Sequence, residues 1–114
     1  MKISVASWFD KKALAEAKRI VSISRGEPRG AKFDHKIWEF CPSGQLLGAF
    51  KRKEIDEKQY EQIYYSEITD KLHRGIAQLE DGDVLCCWEP AGSFCHRYLL
   101  SDLLCINEIE VERK

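Results

Sequence analysis

The chain lacks a long apolar run. Its longest, Val84 to Trp88, is five residues, against the roughly 20 that a membrane-spanning helix needs. A helical membrane protein is therefore not expected, and no membrane partner is predicted. At the start of the sequence a lone Lys2 is followed by apolar residues broken by Ser4 and Ser7. That is too short and too polar for a secretory leader, so the expected location is the cytoplasm. No Cys-x-x-Cys occurs, and five cysteines are an odd number without a framework spacing. Reduced thiols and no structural disulfide are the expectation. Neither a P-loop nor a G-x-G-x-x-G is present, which argues against nucleoside triphosphate or dinucleotide binding through those loops. Internal repeats and low-complexity segments are absent as well.

What is present suits one soluble globular domain spanning residues 1–114, with 44% hydrophobic and 32% charged residues and five Phe, four Tyr and three Trp for a compact interior. The net charge of −1 hides an asymmetry. Residues 1–53 carry 12 Lys/Arg against 5 Asp/Glu, whereas residues 54–114 carry 6 against 14. A basic half can mark a surface for phosphate-bearing partners, although in a single domain the two halves can also interleave and neutralise each other.

Ile3 to Ser7 and Ile20 to Ser24 read as short β-branched strands, and Val84 to Trp88 as a third that is apolar on both faces. Continuous apolar strands belong to mostly parallel sheets covered on both sides by helices. The predicted fold class is α/β: a single domain with a short, mostly parallel sheet flanked by helices. Ala13, Leu14, Ala15 and Ala17 predict a helix over Lys11 to Arg19. Asp56 and Gln59 make a capping-box start, after which Tyr60, Ile63, Tyr64, Ile68, Leu72, Ile76 and Leu79 recur at helical steps. Gly75 is expected to divide that stretch. Tyr98 to Ile106 reads as a last helix, and Ile109 to Val111 as a short edge strand. Pro28 to Gly44, with Phe33, Trp38 and Phe40, reads as an irregular segment whose aromatics pin it down.

Chemistry concentrates between Cys86 and Arg97. A buried strand ends in Glu89, a Pro/Gly turn follows, Ser93 is placed to cap a helix, and Cys95-His96-Arg97 fills the opening turn. Orphan amides and the helix dipole favour an anion there, with Arg97 as an added cation, and the same field would hold Cys95 as a thiolate. The expected site lies beyond the carboxyl ends of the parallel strands, at Trp8, Arg25 and Glu89. Arg25 and Arg97 would grip the anion, with Trp8 and Arg29 beside them. Cys95, His96 and Glu89 are the candidate catalytic residues. The competing reading is packing: Cys95, Leu99, Leu103 and Ile106 share one helical stripe, and a buried Cys is an inert hydrophobe. Adjacent helical positions do not face each other, so Cys95 would need a base from elsewhere, with His35 or Glu89 as candidates.

Thiolate and imidazole ligands raise a zinc site at Cys86, Cys87, Cys95 and His96, but neighbouring strand residues point to opposite faces, so no metal or other cofactor is predicted. Cys41 and Cys105 read as packing residues, and His73 as solvated. Arg25, Arg29, Lys32 and Lys36 among Phe33 and Trp38 suit phosphate contacts with base stacking.

The hydrophobic strand with its acid, the Cys95-His96-Arg97 helix opening, the strand leading to Arg25 and Pro28, and Cys41-Pro42-Ser43 through Tyr60 and Tyr64 together resemble the bacterial and phage domains of unknown function 488 (DUF488). The likeness spans nearly the whole chain. Many members carry Asp-Val-Arg at the second strand, where this chain has Ser22-Ile23-Ser24-Arg25, so any role of that acid does not transfer. The resemblance implies an α/β fold and a site around Arg25, Glu89 and Cys95 to Arg97, and it supplies no activity. The expected function is binding or processing of a phosphate-bearing ligand, a nucleotide or nucleic acid, with Cys95 as nucleophile if there is catalysis. The alternative is a non-catalytic module in which the Cys-His-Arg turn is structural.

Overall fold

Among the described residues five strands form one wholly parallel sheet in the order β3-β2-β4-β1-β5. The computed structural model describes residues 1–89 and 92–114. Along the chain the elements are β1 (Lys2–Ser7), α1 (Lys11–Glu16), β2 (Arg19–Ser22), β3 (His35–Lys36), α2 (Gly44–Lys51), α3 (Glu57–Ile68), α4 (Leu72–Ile76), β4 (Asp83–Cys87), α5 (His96–Ile106) and β5 (Glu110–Arg113). The α/β class with a parallel sheet is thus correct.

The connections explain how helices come to cover both faces. From β1 the chain crosses over β4 to reach β2, and from β4 it crosses over β1 to reach β5, in the opposite direction. Crossovers of one hand running in opposite directions put their helices on opposite faces. Accordingly Ala13 of α1 packs with Ala6, Trp8, Val84 and Cys86 on one face. Leu99, Leu100 and Leu104 of α5 pack with Ile3, Val5, Leu85 and Cys87 on the other, together with Tyr60, Tyr64 and Ile68 of α3. Alternation along β4 decides this division, since Val84 and Cys86 face α1 while Leu85 and Cys87 face α5.

Local signals set the helix limits. The Asp10 carboxylate accepts the Ala13 amide at 3.0 Å and starts α1. Asp56 and Gln59 complete the expected capping box of α3. The long helical stretch breaks earlier than Gly75, at a 3-10 turn over Thr69–Lys71. Gly75 instead sits inside α4 against the ring of Phe40. That ring is the pin of the irregular segment, and the Tyr64 hydroxyl donates to the Phe40 carbonyl at 2.8 Å. Trp38, by contrast, is exposed, with the Lys36 ammonium 4.0 Å from its ring centre. Cys105 is exposed rather than packed, because it falls on the outer side of α5 with Ile106.

At the far end of the sheet the carboxylate of Asp83, fully buried, is held by Arg19 through paired bonds of 2.8 and 2.9 Å and by the Glu80 amide at 2.8 Å. Hydrogen bonding to Asp83 raises the Arg19 guanidinium above its ordinary value, against desolvation. This bidentate pair joins β2 to β4 at their start and leaves their carboxyl ends to form the site.

Candidate functional site

At those carboxyl ends β2 turns toward β3 while β4 departs the other way over β1 toward β5. Neighbouring strands whose continuations diverge leave a crevice between them. A cavity of about 470 Å³ occupies it, lined by Ser24, Arg25 and Gly26 after β2, by Trp88 and Glu89 after β4, and by Phe94, Cys95 and His96 at the start of α5. The rest of the lining comes from Pro42, Leu47, Phe50, Lys51 and Tyr60.

The predicted residues divide on this geometry. Arg25, Glu89, Cys95 and His96 come together in the cavity wall, whereas Arg97, Arg29 and Trp8 are not part of it. Arg97 is completely buried, with one guanidinium nitrogen 2.9 Å from Cys87 Sγ and another donating to the Tyr98 hydroxyl at 3.1 Å. It reaches inward because the first turn of α5 lies on the sheet. Trp8 lies on the opposite face of the sheet, and its indole N–H donates to Ser24 Oγ at 3.0 Å. It therefore supports a residue of the cavity from behind. Arg29 is exposed. His35, a candidate base, is bound to Gln78 Oε1 at 2.8 Å and does not line the cavity.

Helix α5 begins one residue later than the Cys-His-Arg reading required. Its N-cap is Cys95, with extended backbone (φ −158°, ψ 148°) and no capping bond from its side chain, so Ser93 is not the cap. The Pro90-Ala91 part of the predicted turn lies outside the described residues. Since Cys95 is not helical, the rule that adjacent helical side chains diverge does not govern it. Cys95 Sγ is 3.7 Å from His96 Nδ1. The other ring nitrogen, Nε2, is 2.7 Å from the Ile23 carbonyl, which can only accept, so Nε2 carries the proton and Nδ1 presents a lone pair. Burial, with Arg97 nearby, lowers the His96 pKa to about 4, although the Ile23 bond works against the shift. The imidazole is neutral at physiological pH.

Cys87 comes from the same face. Its sulfur is in bonding contact with that of Cys95, a pairing that contradicts the expectation of wholly reduced, separate thiols. The Cα atoms are 7.8 Å apart, beyond the roughly 4.4–6.8 Å of a relaxed disulfide. Glu89 Oε2 stands 3.8 Å from Cys87 Sγ. Cys86, on the α1 face, takes no part, as strand alternation requires, and burial pushes its thiol up to about 12.

The cavity's aromatic wall was missed as a site feature. Phe50 and Lys51 belong to α2, within a region with no predicted helix. Its signal was Ser43, whose hydroxyl accepts the Leu46 amide at 3.0 Å, followed by Leu46, Leu47 and Phe50 at helical steps. Phe50, Tyr60 and Phe94 meet with ring centres 5.1 to 5.4 Å apart. Trp88 closes the rim by donating its indole N–H to the Gly26 carbonyl at 2.6 Å. Behind the rim the Glu27 carboxyl, which burial alone would raise, is held below its usual value by Lys36 and Ser22. That network fixes the Arg25 loop, because Lys36 also donates to the Arg25 carbonyl at 2.8 Å.

A family model described as the active DUF488-N3 subclade, DUF488-N3a, matches residues 3–108. The chain belongs to the DUF488 family. No curated protein and no solved structure matches it. The resemblance seen in the Cys-His-Arg context is therefore correct, and the DUF488 match extends through α5, the helix that carries this site.

Proposed function

We propose that this DUF488 domain binds a nucleotide, free or as one unit of a nucleic acid strand, in the cavity between the ends of β2 and β4. One observation carries the reading: the cavity of about 470 Å³ is lined both by four aromatic side chains, Phe50, Tyr60, Phe94 and Trp88, and by two cations, Arg25 and Lys51. A planar base gains by stacking on such rings, and a phosphate gains from the cations. Glu89, Cys95 and His96 form the end at which a bound ligand would be processed. Description of the subclade as active fits a reacting end of this kind. Arg25 takes over the anion-holding role first assigned jointly to Arg25 and Arg97.

Calorimetric titration with adenosine and cytidine 5′-monophosphates, the matching nucleosides and inorganic phosphate tests this. The monophosphates should bind at least tenfold more tightly than the nucleosides, Arg25→Ala should remove that advantage, and Phe50→Ala should weaken both. Binding should also fall with added salt. Equal affinity for nucleoside and nucleotide, or an Arg25→Ala variant indistinguishable from the parent, would refute the proposal.

A binding module without catalysis is the second reading. It is favoured by the bonds from His96 to Ile23 and from Arg97 to Cys87, which tie α5 to the ends of β2 and β4. Nucleotide binding that leaves the ligand chemically unchanged on prolonged incubation, judged by mass, supports this version.

A further inference from the structure

We infer that Cys87, Cys95 and His96 form a binding site for a soft divalent metal ion, zinc in the first instance, with Glu89 as an oxygen ligand on the cavity side. The ligand atoms of the first three lie within 4.8 Å of one another, and all three residues are buried. They come from two rigid pieces of backbone, the end of β4 and the start of α5. Two thiolates and an imidazole are the donor set that selects zinc over magnesium or calcium.

Three further observations fit a metal better than a simple crosslink. First, His96 is oriented as metal-bound histidines are. Its Nε2–H is spent on the Ile23 carbonyl at 2.7 Å, which aims the Nδ1 lone pair toward the sulfurs. A disulfide would have no use for this arrangement. Second, the Cα separation of 7.8 Å is wider than the roughly 4.4–6.8 Å at which a disulfide ordinarily spans two backbones. Sulfurs bound at about 2.3 Å to one tetrahedral ion are about 3.8 Å apart, roughly 1.7 Å more than in a disulfide, which accommodates the wider span. Third, the charges balance. Two thiolates and the Glu89 carboxylate against a divalent ion and the Arg97 guanidinium, 2.9 Å from Cys87 Sγ, leave no net charge. The Cys95 side chain makes no capping bond, so its sulfur is not committed to the helix amides.

The proposal gives Cys95 a ligand's role in place of a nucleophile's. Because Glu89, Cys95 and His96 also line the cavity, the ion would stand at its inner wall. The inference does not depend on what ligand enters the cavity, since metal uptake is measured without one.

The test uses the full chain, fully reduced and stripped of metal by a chelator. Cobalt(II) titration should show sulfur-to-cobalt charge-transfer absorption that saturates at one ion per chain and is bleached by zinc. Zinc should protect Cys87 and Cys95, but not the exposed Cys105, from alkylation mapped by mass spectrometry. Cys86→Ser and Cys105→Ser should keep the spectrum, while Cys95→Ser should lose it and His96→Gln should weaken affinity at least tenfold. Absence of charge transfer in the reduced parent, or a spectrum lost with Cys105→Ser and kept with Cys95→Ser, would overturn the site. The alkylation map uses the unmutated protein, so it decides even if a ligand variant fails to fold. If Cys87 and Cys95 alkylate equally with and without zinc, the inference is wrong. Cobalt binding in a parent that shows no preference for nucleotide over nucleoside would sink the nucleotide reading alone, and nucleotide binding without cobalt charge transfer would sink the metal site alone.

Discussion

Acid should destabilise this domain in large part through one buried imidazole, that of His96. His96 is buried between α5 and the sheet with its ring 5.5 Å from that of Tyr64, and burial brings its pKa to about 4 from 6.5. The unfolded chain therefore takes up the proton first. Stability is fully present above about pH 6.5, falls as the pH drops toward 4, and levels off below that. Taking those two values, the His96 contribution lost between pH 7 and pH 4.5 is about 2 kcal/mol. That is a large share of the roughly 5–15 kcal/mol available to a domain of this kind. Urea unfolding at both pH values, in chelator so that no metal contributes, gives the total change for the parent. The same pair of measurements on His96→Gln gives the part due to other groups, since glutamine does not titrate and can still donate to the Ile23 carbonyl. The parent should lose about 2 kcal/mol more than the variant on acidification. An equal loss in the two proteins, or a His96 imidazole resonance, assigned by its absence in His96→Gln, that titrates near 6.5 in the folded parent, would refute the burial argument.

Two other perturbations test the scaffold. Asp83→Ala removes the buried carboxylate that holds Arg19 and the Glu80 amide, leaves Arg19 with Glu80 and the Gln78 carbonyl, and should cost about 1–3 kcal/mol in urea unfolding. Gly75→Ala would gain about 1 kcal/mol of helix propensity in isolation. In this fold its Cβ would press on the Phe40 ring, so the net effect should be a loss of about 1–3 kcal/mol. A gain in melting temperature would show that the ring moves aside at no cost.

The parallel sheet was legible because its central strand is apolar on both faces. Val84, Leu85, Cys86 and Cys87 are all buried, and only a strand covered by helices on both sides tolerates that pattern. Capping chemistry made α3 legible for the same reason that it forms: Asp56 and Gln59 satisfy donors that would otherwise be orphaned. The site was harder. Arg25, Glu89, Cys95 and His96 could be named because strand ends and a helix start are visible in sequence. The direction in which Arg97 points was not, since it depends on how α5 is tilted onto the sheet, a tertiary quantity without local signature.

The metal-ligand set shows the same limit most sharply. Alternation along β4 correctly separates Cys86 from Cys87, and that separation argues against a four-ligand site containing both. It says nothing against Cys87 alone. Whether Cys95 and His96 reach Cys87 depends on Cys95 being extended rather than helical, which turns its sulfur back toward β4. A change of one residue in where the helix begins therefore moves Cys95 from a packing position on a helical stripe to a position beside two other ligand atoms. Sequence spacing of eight residues between the cysteines is equally compatible with both outcomes. The proton on His96 Nε2 follows from its bond to Ile23, a residue 73 positions earlier. The sheet creates that contact by setting the ends of β2 and β4 side by side, so the donor set at α5 is a product of topology and not of the Cys-His-Arg motif alone.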